Sequence, residues 1–503
     1  MHVEVDASAE ETAPSFLFLA KPAPRLIFFF LAVAVKLTAF ALSAAGFVQT
    51  TSQIWVSGFV VWVLWFAMMF GVAAPRTDKL LKGHTSWLKP LAITFIVIIL
   101  VVGLGEAVVI NRPSLVIPLL ESTTGNAEQI FDSLGRMYGY NDATALTHQA
   151  TDNFIAGDNP YATANIITAL NRFGGDGMKT TPLREGRFAD AFPYPTIEQL
   201  EALWNDVSGQ PENIPPEVES KLCYPAGSFL FTAPFIFLGI PDVRWIYLLY
   251  AVIGVGFVVW YAPRNTRLVL SLAFLVSLDI WNGIFSGETG SLVFPFLLVA
   301  WILPRKYLWL SAILMGIAVG TKQTAWFFIP FYLIVVFRTL GFRQLARTSL
   351  IIFGVFVVLN LPFFVQDPRL WVISLLAPMT DRMFPLGGGI ITFVIGGALN
   401  VRSSLPFTVI ELVAIVGCAV WYYRNCRRYP YVGPVLSVLP LYFAWRSLWP
   451  YFFYVDVILF TAIVLSMYAK ESRRPFWTAN LPASGAMLAP ENDARQTDAE
   501  VPG

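Results

Sequence analysis

Residues 224–241 read YPAGSFLFTAPFIFLGIP, and whether this stretch crosses a bilayer decides the topology of everything after it. It is apolar enough to enter a membrane. Prolines at Pro225, Pro234 and Pro241 interrupt it, however, and a spanning helix needs about 20 mostly apolar residues in succession. Twelve other apolar blocks stand along the chain, at about 26–48, 52–73, 90–110, 244–261, 268–284, 290–303, 307–320, 325–338, 348–365, 404–423, 431–446 and 450–469. If those twelve cross and 224–241 does not, six basic clusters share one face. They are Arg76/Lys79/Lys82/Lys89, Arg264/Arg267, Arg305/Lys306, Arg338/Arg343/Arg347, Arg424/Arg427/Arg428 and Lys470/Arg473/Arg474. Lys and Arg accumulate on the cytoplasmic side, so both termini are expected there. Counting 224–241 as a span would throw Arg264 and every later cluster to the opposite face.

The expected fold is therefore an all-α polytopic membrane protein with about 12 transmembrane helices. Its divisions are a cytoplasmic N-terminal tail (1–25), three spans (26–110), one large extracytoplasmic loop (111–222), a re-entrant or interfacial apolar hairpin (223–243), nine spans (244–470) and a disordered cytoplasmic tail (471–503). Composition agrees with this class. Of 503 residues, 56% are hydrophobic and 13% charged, against roughly 25% charged in soluble chains. A net charge of +1 offers nothing for nucleic acid. Cys223, Cys418 and Cys426 are scattered and form neither a zinc spacing nor a disulfide framework. No Asn-x-Ser/Thr acceptor occurs, which points away from a eukaryotic secretory membrane and toward a bacterial plasma membrane.

The loop carries fifteen Asp and Glu against seven Lys and Arg. A helix is expected over Asp142–Ala156, closed by the turn Gly157–Tyr161, and a shorter amphipathic one over Ile197–Val207. Asp142, Gln149 and Asp152 share roughly one face of the first helix. Asp142 reads either as the helix N-cap or as a chemical carboxylate. Lys322, in Gly320-Thr-Lys-Gln323, and Arg446, in Ala444-Trp-Arg-Ser447, lie on the outer side, where basic residues need a local reason. Snorkelling is one reason; an anion at the membrane surface is the other. Glu288 sits in a glycine-rich outer turn. Asp279, Asp456, Lys36 and Glu411 are intramembrane charges, with Asp456 a possible partner for Arg446. His148 reads as a packing histidine. No Asp-x-Asp, Walker A loop, His-Glu-x-x-His or Gly-x-Ser-x-Gly occurs.

Taken in order, four of these places resemble the multispan C-type glycosyltransferases, and most closely glycosyltransferase family 87. They are Asp142 with the Gly157–Tyr161 turn; Tyr224-Pro225-Ala226 with Pro234; the turn Gly287-Glu288-Thr289-Gly290; and Gly316–Gln323 followed by Pro330. Glu and Gly replace the Gln and Asn usual in the third. The likeness covers roughly residues 135–365. It implies a C-type glycosyltransferase fold and an inverting transfer of a mannose-like hexose or a pentose from a polyprenyl-phosphate donor. The acceptor would be a lipid, glycan or protein on the extracytoplasmic face. It assigns Asp142 as general base with Asp152 as substitute, and Lys322 and Arg446 as ligands of the donor phosphate. Glu288, Gln323, Tyr161 and Tyr224 are further substrate-site candidates. No metal or other cofactor is required, though a structural divalent cation could be accommodated. Competing readings are a transporter or flippase, a lipid-linked-glycan ligase, and a non-catalytic relative of the same fold.

Overall fold

The computed structural model describes residues 23–49, 52–111 and 140–478. Most of the expected N-terminal tail, the first part of the loop (112–139) and the end of the C-terminal tail (479–503) lie outside the described residues. Among the described residues the architecture is predominantly helical, with one two-stranded parallel pairing and two isolated bridges.

Eight of the described helices are long and apolar enough to cross a bilayer. A ninth span results if Arg264–Val276 and Leu278–Phe285, bent by 54° at Ser277, count as one. The other three of the twelve expected spans correspond to shorter elements, Gly290–Ile302, Leu308–Val319 and the broken run Pro430–Phe443. At 1.5 Å per residue each falls short of a hydrocarbon core of about 30 Å. Block length alone does not count crossings, because a buried apolar helix inside a bundle need not traverse it.

The segment 224–241 contains two short helices, Gly227–Leu230 and Ala233–Phe237. The break at Phe231–Thr232 precedes Pro234, which lacks an amide proton. Its base is pinned by Gly227 N–H donating to Gly320 O (2.8 Å) and Ala226 N–H to Asn360 Oδ1 (2.9 Å). Its tip, Phe237 and Leu238, is exposed.

The last long helix, Val455–Tyr468, is buried on nearly every side, whereas Leu405–Asn425 exposes most of its surface. At the centre, Lys36 Nζ lies 2.7 Å from Asp279 Oδ2, 2.6 Å from Asp456 Oδ2 and 2.9 Å from Phe453 O. All three charged side chains are fully buried. Asp456 thus pairs with Lys36 rather than with Arg446. The triad ties the helix Pro24–Gln49 to Leu278–Phe285 and to Val455–Tyr468.

The described part of the loop is folded. Its helices Asp142–Ala156 and Ile197–Val207 have the expected bounds, and the second begins in a capping box between Thr196 and Gln199. The loop is fastened below by Tyr140, whose hydroxyl donates to Asp242 Oδ1 (2.8 Å) and accepts from Val243 N–H (3.0 Å). His148 is buried against Tyr140 and stacks on Phe173, a packing histidine. The C-terminal segment expected to be disordered from 471 stays ordered through Thr478: Phe476 and Trp477 are buried, and Trp477 Nε1 donates to Trp301 O (3.0 Å).

Candidate active site

Asp142 opens the loop helix but does not cap it. Asn141 does, its side-chain oxygen accepting from Thr144 N–H (2.8 Å). This leaves Asp142 in the first turn, where Oδ1 accepts from Ala143 N–H (2.7 Å) and Thr181 supplies a side-chain hydrogen bond. Surrounding protein takes the carboxyl out of bulk water and pushes its pKa above the usual range. The two hydrogen bonds and the charges of Arg446 and Lys179 oppose that shift.

Glu288 reaches the same place from another element. Its turn follows Leu278–Phe285 and passes through Gly287 at φ 77°, a conformation that costs an L side chain energy. A Cβ at Gly287 would stand 2.6 Å from Thr144 Oγ1, whose hydroxyl donates to Gly287 O. Turn and loop helix therefore interlock, and Asn141 Nδ2 donates to Glu288 Oε1 (3.3 Å). Burial raises the Glu288 pKa; Lys322 and Lys179 oppose the rise and Asp142 adds to it. Burial lowers the pKa of Lys322, against the pull of Glu288 and Asp142. The Lys322 ammonium lies 5.3 Å from the centre of the Tyr224 ring, a cation–π contact.

Arg446 arrives on a two-residue strand paired in parallel with Leu386–Gly387. The pairing requires glycine: a Cβ on Gly387 would lie 1.9 Å from Ser447 O. Arg446 Nη1 is buried with no hydrogen-bond partner, and its charge acts on Asp142, Tyr194 and Tyr451.

Asp142, Glu288, Lys322, Tyr224 and Arg446 thus come together. Asp152 does not join them. It lies about 15 Å further along the helix axis at 1.5 Å per residue, ion-paired with Arg172 and 3.8 Å from His148. Tyr161 is a buried packing residue whose hydroxyl donates to Tyr224 O (2.9 Å). Gln323 bridges segments, its Nε2 donating to Cys223 O and to Leu375 O (3.1 Å). Lys179 and Thr181 belong to the cluster but carry no motif that would have singled them out. Among the described residues no group of three or more His, Cys, Asp or Glu side chains is placed to hold a metal ion.

A cavity of about 830 Å³ adjoins the cluster, bounded on that side by Gln323, Arg446 and Tyr451. Its walls include Phe327, Phe331, Leu375, Ile415 and Leu441, and Arg184, Arg382 and Arg402 contribute basic groups. Those three arginines went unnoticed in the sequence. Arg382 and Arg402 fall on the expected outer face, so the anomaly that flagged Lys322 applied to them equally.

Residues 222–438 match the family model described as "Glycosyltransferase family 87". The match includes Tyr224, Glu288, Lys322 and Gln323; it begins after Asp142 and ends before Arg446, so it is displaced toward the C-terminus from the stretch of likeness read in the sequence. No curated protein and no solved structure matches the chain.

Proposed function

We propose that the chain is a multi-pass membrane glycosyltransferase of family 87, whose model matches residues 222–438, and that it moves a sugar from a polyprenyl phosphate to an acceptor hydroxyl on the extracytoplasmic face of a bacterial plasma membrane. The observation that carries this reading is the meeting of two carboxylates, Asp142 and Glu288, with two cations, Lys322 and Arg446, beside an apolar-walled cavity. A lipid-phosphate sugar has the same polarity: a long apolar chain, one anionic joint and a polar head.

In the proposed reaction an acceptor oxygen attacks the anomeric carbon while the bond from that carbon to the phosphate oxygen breaks. Asp142 takes the acceptor's hydroxyl proton, and the electron pair of the broken bond stays on the departing phosphate. The environment suits a base, because partial burial strengthens the carboxylate without removing its hydrogen-bond support. The leaving phosphate is already anionic and needs no proton, unlike the alcohol expelled in glycoside hydrolysis. Lys322 and Arg446 stabilise the charge that grows on it. Glu288 holds Lys322 in place electrostatically, and Tyr224 packs beneath its ammonium.

Membranes carrying wild type or Asp142→Asn, supplied with a polyprenyl-phosphate sugar and an acceptor lipid extract, test the assignment. The variant is expected to lose at least 100-fold in transfer at equal expression, the upper part of what a positioned base contributes. Full activity in the variant removes Asp142 from the role. Loss in Glu288→Gln but not in Asp142→Asn would transfer the role to Glu288.

A further inference from the structure

The arginines at 184, 382 and 402 form a basic group separate from the cluster around Asp142. The peptide N–H of Arg184 donates to Arg382 O (2.7 Å), and Leu183 bridges Met383, so the loop is laid against the residues that follow the helix Pro368–Thr380. The Arg184 and Arg402 guanidinium groups face the Phe192 ring at 5.6 and 5.3 Å from its centre. Phe192 is itself packed against the small core around Phe407 and Trp445. The two guanidinium groups thus have a firm common platform. Among the described residues no carboxylate lies within ion-pair distance of any of the three, and Arg184 Nε is buried without a hydrogen-bond partner. Asp381, next to Arg382 and itself in the cavity lining, is engaged by Lys221, and Glu185, next to Arg184, is exposed. Three like charges set this close repel, and the mutual repulsion of Arg184 with Arg402 and Arg382 accompanies its partial burial in lowering its proton affinity.

All three line the cavity that also holds Arg446, together with the apolar wall of Phe327, Phe331 and Ile415. We propose that this trio is a second anion subsite, which takes the phosphate-type group of a lipid acceptor while the donor phosphate sits at Lys322 and Arg446. Guanidinium groups bind phosphate oxygens through paired, charge-assisted hydrogen bonds, and three of them neutralise a phosphate ester completely. The wall beside them favours an anion that arrives on an acyl chain over a free ion. Glu411, also in the cavity lining, would repel a phosphate and so favours the arginine end. This inference rests on the donor assignment only in naming the occupant as acceptor; the anion subsite itself stands without it.

A binding measurement keeps the two apart. Protein in phosphatidylcholine nanodiscs is titrated with dihexanoyl phosphatidic acid, dihexanoyl phosphatidylcholine and inorganic phosphate. Wild type is expected to bind the phosphatidic acid at least 10-fold more tightly than either other probe. Arg184→Gln/Arg382→Gln/Arg402→Gln is expected to lose that preference, whereas Lys322→Gln/Arg446→Gln keeps it. The triple Arg→Lys variant retains charge without the planar fork and is expected to bind with intermediate affinity. Unaltered binding in the Gln triple variant, with an unchanged elution profile, overturns the subsite. Equal loss in Lys322→Gln/Arg446→Gln overturns its separateness from the donor site. Inorganic phosphate binding as tightly as the lipid overturns the lipid source. Absence of sugar transfer in a parallel assay bears on Asp142 and the donor, not on these outcomes.

Discussion

Replacing Lys36 by Met removes the only cation from a fully buried group that holds two carboxylates. The ammonium is 2.7 Å from Asp279 and 2.6 Å from Asp456, and neither carboxylate has measurable solvent contact. With the lysine gone, two carboxyl groups face each other in the bundle interior without a counter-charge. Breaking a buried ion pair by deleting one partner costs about 3–5 kcal/mol, and two acids share this lysine, so the upper part of that range applies. Three helices meet here, so the loss weakens the bundle at its centre rather than at one edge. The substitution therefore lowers the midpoint of thermal unfolding in detergent, followed through the accessibility of buried Cys426 to a thiol-reactive dye. The companion variant Lys36→Met/Asp279→Leu/Asp456→Leu removes every charge and leaves apolar groups of similar volume. Such replacement is often neutral or stabilising, so the triple variant is expected to recover most of the lost midpoint. A Lys36→Met protein as stable as wild type refutes the reasoning, and so does a triple variant no better than the single one. If the recovered triple variant transfers sugar at the wild-type rate, the triad serves the bundle alone.

Glu219 is buried, shares a hydrogen bond with Asp381, and has its pKa pushed up to about 8, burial being the largest cause. An acid whose folded pKa exceeds its unfolded value of 4.5 favours the folded state fully below 4.5 and loses that contribution as pH rises toward 8. Limited proteolysis of the 181–221 region should accelerate between pH 6 and pH 9, and Glu219→Gln should flatten that profile; an unchanged profile in the variant argues against Glu219 as its source. Gly287→Ala places a methyl group 2.6 Å from Thr144 Oγ1 at a φ of 77°, at a cost of about 1–3 kcal/mol. Transfer should fall about 10-fold or more while the unfolding midpoint drops only slightly, and Thr144→Ala should partly restore it; loss of folding without selective loss of transfer would contradict the interlock.

The uneven legibility of this chain follows from what each kind of signal can report. Apolar blocks report burial, and burial in a bundle resembles burial in lipid, so the blocks that became the short helices Gly290–Ile302, Leu308–Val319 and Pro430–Phe443 do not by themselves count crossings. Prolines report directly on backbone continuity, and the broken helices at 227–237 reflect them faithfully. Caps are fixed by neighbours a few residues away, which is why the bounds of Asp142–Ala156 and Ile197–Val207 could be read while the choice between Asn141 and Asp142 as cap turned on a backbone angle. Charge position reported more than was taken from it. Lys322 and Arg446 stood out because basic residues are out of place on the expected outer face, and Arg382 and Arg402 are misplaced on that face in the same sense. Lys179 sits in a long acidic loop where one lysine means nothing until the fold sets it beside Asp142 and Glu288. Asp152 shows the converse: helical spacing put it on Asp142's face, but Arg172 from the next helix claimed it. Local spacing tells which residues share a face. The packing of other elements decides what that face meets, and in this chain the candidate site is assembled from six separated stretches, around residues 142, 179, 224, 288, 322 and 446.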